Sequence, residues 1–83
     1  MSPSELFDLA WELDARGFAG QEAAVRRVVR TARARGLATV AVEVLADPAE
    51  PAVARLRAFG DVAAALASDE LRTRTPAKLG SAA

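Results

Sequence analysis

Two rows of charged side chains are the groups in this sequence that could bind or do chemistry. Glu5, Asp8 and Glu12 recur three and four residues apart, the spacing that places side chains on one face of a helix. A row of arginines follows at the same kind of spacing, and guanidinium groups arranged in this way suit phosphate or carboxylate partners. We therefore predict an anion-contacting surface from four residues: Arg26, Arg27, Arg30 and Arg33.

The two rows have two further interpretations. If the first two helices form an antiparallel hairpin, the acidic row lies along the basic row within one chain. Alternatively, the acidic face of one chain meets the basic face of another. Exposed ion pairs are typically worth under about 1 kcal/mol each, so the sequence leaves all three interpretations open.

Catalysis is not expected from these residue types. The chain has no Cys and no His, which removes thiol nucleophiles, imidazole bases and the usual zinc ligands. The carboxylates of the first helix are expected to be solvated and to make poor general acids at neutral pH. The glycines are isolated and form no phosphate-binding loop. We predict no catalytic residue, no cofactor and no metal site.

The composition indicates a single small domain with a thin core. The 83 residues are 52% hydrophobic and carry a formal net charge of zero. Alanine supplies much of the apolar fraction and buries little area, so self-association or a partner protein would be an ordinary way to cover more apolar surface. No apolar run reaches the length of a membrane span. The amino-terminal segment lacks a signal-peptide pattern, which predicts a cytoplasmic protein.

To position these rows the chain needs helices, and the periodicity predicts four of them. Ser2 and Glu5 have the spacing of a capping box at the start of the first helix, and Pro3 suits its first position. Gly17 and Gly36 are predicted helix stops. The prediction is an all-α fold, a small four-helix bundle built from αα-hairpins. The predicted helices are 3–16, 20–35, 38–46 and 50–67, and the first two form an antiparallel hairpin.

The third segment, 38–46, is compatible with two structures. Val40, Val42 and Val44 alternate as in a strand, but the segment also has a helical apolar face. A lone strand has no partner within the chain. We predict a helix and keep an intermolecular strand as the alternative.

The large apolar residues divide into predicted core and predicted contact surface. Phe7 and Phe59 are assigned to the core, as are the positions of the fourth helix that share a face: Val53, Leu56, Phe59, Ala63 and Leu66. Trp11 is left open between core and surface. The predicted partner-contact residues are Trp11, Val40 and Val44.

The chain is divided into a helical domain, 1–67, and a flexible basic tail, 68–83. The tail has few large apolar residues and contains Pro76, so it offers little to offset the entropy of ordering its backbone. Leu71 or Leu79 is expected to dock on the body or on a partner if the tail is not free. Its Ala-Ala end resembles the tags that bacterial unfoldase–protease machines engage.

Two patterns in the sequence resemble motifs of known function. The run Leu9-Ala10, Leu13, Gly17 and Glu22-Ala23 resembles a tetratricopeptide hairpin, which indicates hairpin packing and not membership of that family, since such solenoids need about three repeats. A helix-turn-helix over 32–45 would present Thr39 and Glu43 to DNA, a poor set for reading bases. The sequence predicts a non-enzymatic protein–protein interaction or regulatory module that self-associates; the alternative is a small nucleic-acid-binding regulator that uses the arginine row.

Overall fold

The computed structural model describes residues 2–74, and four α-helices account for most of them. They are α1 (Pro3–Arg16), α2 (Glu22–Ala34), α3 (Thr39–Ala46) and α4 (Ala52–Arg74). The described residues contain no strand. The all-α prediction is therefore confirmed, and the segment predicted at 38–46 is helical from Thr39 to Ala46 within this single chain.

The ends of α1 have the predicted chemistry. The Ser2 hydroxyl accepts from the Glu5 backbone N–H at 3.3 Å, and the Glu5 carboxylate accepts from the Ser2 N–H at 2.9 Å, which completes the capping box. The hydrogen bond from the Ser2 backbone lowers the pKa of Glu5. At the other end Gly17 has φ 82°, and its N–H donates to the Leu13 carbonyl at 2.9 Å. The positive φ explains why a glycine stands there.

The connection between α2 and α3 is short and tight. Gly36 has φ 67°, and the Leu37 N–H reaches back to the Ala32 carbonyl at 3.0 Å, so both glycine stops act as predicted. Ala38, which precedes α3, has φ 45°. A left-handed alanine is uncommon and costs conformational energy, so this turn is held by the packing of the helices on each side of it.

The order in which the helices pack differs from the prediction. α3 packs against both α4 and α2, whereas α1 lies chiefly on α4. The first two helices, predicted to form an antiparallel hairpin, contact each other less extensively than α1 contacts α4. α4 is the central element that joins the others. Within the described residues, the core is made of 14 buried apolar side chains: Leu6, Leu9, Leu13, Phe18, Val25, Val28, Val29, Ala32, Val42, Leu45, Ala58, Phe59, Val62 and Leu66.

Two core assignments were wrong. Phe59 is buried as predicted, but Phe7 is 72% exposed and Val53 is also exposed. In α1 the stripe of leucines already fills the inward face. Phe7, one residue round the helix from Leu6, is turned about 100° away from it.

The last helix is longer than predicted. α4 continues to Arg74, whereas the sequence placed its end at residue 67. Arg35 forms ion pairs with Asp69 at 3.1 Å and Glu70 at 3.6 Å, so the end of α2 contacts the first residues of the predicted tail. The rest of that tail, 75–83, lies outside the described residues, and so does the predicted docking residue Leu79.

Candidate interaction surface

Arg55 is the most constrained polar side chain on the inner face of α4. It is only 5% exposed. Its Nη1 and Nη2 donate to the Glu22 carboxylate at 3.0 and 3.1 Å, and its Nε and Nη2 donate to the Leu45 carbonyl at 3.1 and 2.9 Å. The guanidinium also lies 4.3 Å from the centre of the Phe18 ring. One side chain therefore ties α4 to the start of α2, the end of α3 and the loop after α1.

The chemistry of Arg55 is structural. Its guanidinium is occupied by protein groups, as a buried charge must be. Its hydrogen bonds lower the pKa of Glu22. Sequence reasoning missed this residue, although there was a signal: Arg55 stands four residues before Phe59 on the apolar stripe of α4.

The opposite side of α4 is exposed and mostly small or apolar. We call this the outer face, defined by six exposed residues: Val53, Arg57, Gly60, Asp61, Ala64 and Leu71. Their spacing follows the helical repeat. Arg57 and Asp61 are its only charged members, and neither forms an ion pair within residues 2–74.

α1 supplies one border of the outer face. Phe7 lines a shallow cavity of about 250 Å³ together with Ala63 and Ala64 of α4. Trp11 follows one turn later and is 68% exposed. Two aromatic side chains therefore lie in solvent beside the outer face, which answers the question left open for Trp11: it is a surface residue.

α3 supplies the other border. A groove of about 690 Å³ runs between the start of α3 and the first half of α4. Val40 and Val44 line it from α3, and Arg57 and Asp61 line it from α4. Val40 is 79% exposed, whereas Val44 is half-buried. The groove is open and predominantly apolar.

The three predicted contact residues thus lie on two borders of one surface. Val40 and Val44 share the groove, and Trp11 lies on the far side of α4 from them. What joins them is the outer face, which sequence reasoning did not identify because it requires knowing that both α1 and α3 pack on α4. Together the two borders and the outer face form what we call the apolar surface.

The predicted arginine row lies on α2, away from the apolar surface. Arg26, Arg27, Arg30 and Arg33 are all exposed. Arg33 pairs with Glu43 of α3 at 3.1 Å. Within residues 2–74 no ion pair joins a carboxylate of α1 to an arginine of α2. The intrachain pairing of the two rows is therefore not formed, although Arg27 does help to lower the pKa of Glu5.

A cleft of about 380 Å³ brings three of these arginines together. Arg26, Arg30 and Arg33 line it, with Val25 and Val29 among its apolar walls. Arg55 also lines the cleft, but its donors are already used by Glu22 and Leu45. This cleft is the place where an anion would meet the row.

Other site chemistry is sparse in the described part of the chain. Within residues 2–74, no group of three or more potential ligands is placed to hold a metal ion. In the same range no helix has the length and apolar character to cross a bilayer. Comparisons of the chain with protein-family models, curated proteins and solved structures find no match.

Proposed function

We propose that this protein is a non-enzymatic interaction module that binds protein through its apolar surface. The observation that carries the proposal is the pair Phe7 and Trp11, 72% and 68% exposed beside the mostly apolar outer face of α4. An isolated exposed hydrophobic residue needs no explanation, but a contiguous apolar patch is typical of an interaction site.

The composition of the surface supports the same proposal. Tryptophan, phenylalanine and arginine are enriched at protein interfaces, and Trp11, Phe7 and Arg57 lie on or beside the outer face. Its charges are few, so covering it requires little desolvation. The fold does not need these side chains, since the leucine stripe of α1 and the inner face of α4 already form the core.

The test is site-specific photo-crosslinking in living cells. A photoreactive residue replaces Trp11 in one variant and Arg26, exposed on α2, in the matched control. We expect protein adducts from position 11 and few from position 26. Absence of protein adducts at position 11, with a folded chain by circular dichroism, would contradict the proposal.

A second candidate function rests on the arginine row. Arg26 and Arg30 are exposed and form no ion pair within residues 2–74, so their donors are available to phosphates. A nucleic-acid-binding regulator would use them and lose affinity steeply with salt, because phosphate contacts release counterions. If the protein does not change the electrophoretic mobility of a random-sequence DNA duplex at low salt, this alternative is wrong. Salt-sensitive binding that is lost in Arg26→Ala/Arg30→Ala would establish it.

A further inference from the structure

We infer that the occupant of the apolar surface is a second copy of this chain, packed through an antiparallel pair of α4 helices that cross near Gly60. This inference rests on the proposed function and names its partner. Three observations carry it: a glycine that the fold does not require, two charges of opposite sign that form no ion pair within residues 2–74, and the position of Trp11.

Gly60 is unexplained by the single chain. It lies inside α4, where glycine weakens a helix relative to alanine. It does not have a positive φ, and a Cβ built on it would meet nothing within 4 Å. The other described glycines stand in loops at positive φ. A glycine at an exposed mid-helix position allows another helix backbone to approach closely.

The charges on the outer face are self-complementary. Arg57 and Asp61 lie one helical turn apart on the same border of α4, and both line the groove. In a two-fold symmetric antiparallel pair, Arg57 of each copy lies opposite Asp61 of the other, so two ion pairs form. A parallel pair would instead place like charges at the same level. The chain's net charge of zero adds no repulsion between copies.

Trp11 lies near the level of Ala58 along α4, within one helical turn of Gly60. Phe7 shares a cavity with Ala64, and Asp14 shares one with Val53. α1 therefore runs antiparallel to α4, and Trp11, about midway between Phe7 and Asp14, comes level with the first half of the outer face. In the antiparallel dimer the α1 helices of the two copies lie on the same side, which brings both Trp11 side chains near the two-fold axis.

The main test uses charge reversal, with the mass of the full chain measured by sedimentation equilibrium. The wild-type chain is expected to dimerise, and Arg57→Asp and Asp61→Arg are each expected to weaken the dimer by roughly tenfold or more, because like charges then face each other. The double variant R57D/D61R restores both pairs and should dimerise like wild type. An equimolar mixture of the two single variants should form a heterodimer. Arg26→Asp, on α2, is the matched control and should have no effect.

The orientation is tested by crosslinking, since the chain has no cysteine of its own. Val53→Cys and Ser68→Cys are both on exposed positions of α4, on either side of Gly60. With a short bismaleimide, a mixture of the two variants should crosslink more than either variant alone. Efficient crosslinking of Val53→Cys with itself would overturn the antiparallel arrangement.

The dimer and the binding of a different protein predict different results. A wild-type chain that stays monomeric at several hundred micromolar overturns the dimer. In that case protein adducts from position 11 would still support the interaction module, with a different protein as partner. Equal dimerisation of the wild-type chain, the charge-reversal variants and Gly60→Leu would show that the copies associate through another surface, and would also overturn the inference.

Discussion

Arg55 and Arg57 stand two residues apart on α4 and have opposite environments. Arg55 is buried, and its guanidinium holds Glu22, the Leu45 carbonyl and the face of Phe18. Arg57 is exposed and has no ion pair in the described chain. The two faces of this helix therefore differ: the inner face holds the other helices together, and the outer face is the one we propose for contact.

The same division separates two phenylalanines that the sequence predicted to be equivalent. Phe59 is 1% exposed and Phe7 is 72% exposed. Substitutions on the inner face are therefore expected to destabilise the fold, and substitutions on the outer face are expected to weaken association without destabilising the monomer. Four predictions test this division, and stability is measured at concentrations where the chain is monomeric.

The largest effect is expected from Phe59→Ala. Removing this ring from the centre of the core should lower the free energy of unfolding by about 3–5 kcal/mol, which unfolds a large part of the population in a domain this small. Phe7→Ala is the matched control and should change stability by less than about 0.5 kcal/mol. Urea denaturation monitored by circular dichroism measures both. A comparable loss in the two variants would contradict the division.

The next effect is expected from Arg55→Ala. It leaves the Glu22 carboxylate and the Leu45 carbonyl without their donor, and breaking a buried pair costs about 3–5 kcal/mol when both partners are buried. Because the Glu22 side chain is 42% exposed, water can replace part of the loss, and we expect about 2–3 kcal/mol. Arg57→Ala is the control and should leave the urea midpoint nearly unchanged. An equal loss of stability in Arg55→Ala and Arg57→Ala would show that the buried guanidinium of Arg55 does not hold the helices together.

A smaller effect of opposite sign is expected from Gly60→Ala. Alanine is the better helix former by about 0.5–1 kcal/mol, and the added Cβ has open space. The monomer should therefore become more stable while the dimer becomes weaker. The thermal midpoint reports the stability of the monomer, and the dissociation constant reports the strength of the dimer. Both are measured for wild type and for Gly60→Ala. A variant that is less stable as a monomer would show that the glycine serves the fold itself.

The smallest effect is expected from pH. The hydrogen bonds from Arg55 hold the pKa of Glu22 below its ordinary value of about 4.5. A carboxyl whose pKa is lowered by folding stabilises the protein above its unfolded pKa, and that contribution is lost as pH falls through the folded value. Stability should therefore decline below about pH 4.5, and the decline should be shallower in Glu22→Gln, which has no charge to lose. If the stability of the wild-type chain and of Glu22→Gln depends on pH in the same way, Glu22 does not contribute to the pH dependence. Asp14→Asn, on an exposed position of α1, is the matched control and should follow the wild-type curve.

Local signals in the sequence predicted the secondary structure well. The capping box at Ser2 and the stops at Gly17 and Gly36 depend on residues only a few positions apart. The end of α4 could not be predicted in this way, because Asp69 is paired with Arg35, which is 34 residues away in the chain. Long-range ion pairs of this kind have no local signature.

The candidate site was predicted only in part. Trp11, Val40 and Val44 were selected as contact residues from their type, and their role stays a prediction. The outer face that lies between them was missed, because the leucine stripe and the aromatic stripe of α1 have equally regular spacing. Which stripe faces inward depends on how α1 docks on α4, and that is decided by packing among all four helices.

In the proposed dimer, the second copy covers the apolar surface, which is exposed within residues 2–74 of the single chain. Trp11 is the only tryptophan, so its fluorescence reports on this surface alone. Trp11 fluorescence is recorded in a dilution series, and light scattering gives the mass of each sample. The monomer should show the emission of a solvent-exposed indole. The emission should shift to shorter wavelength as the mass doubles. Emission that stays constant while the mass doubles, or a buried indole in the monomer, would contradict the proposed dimer.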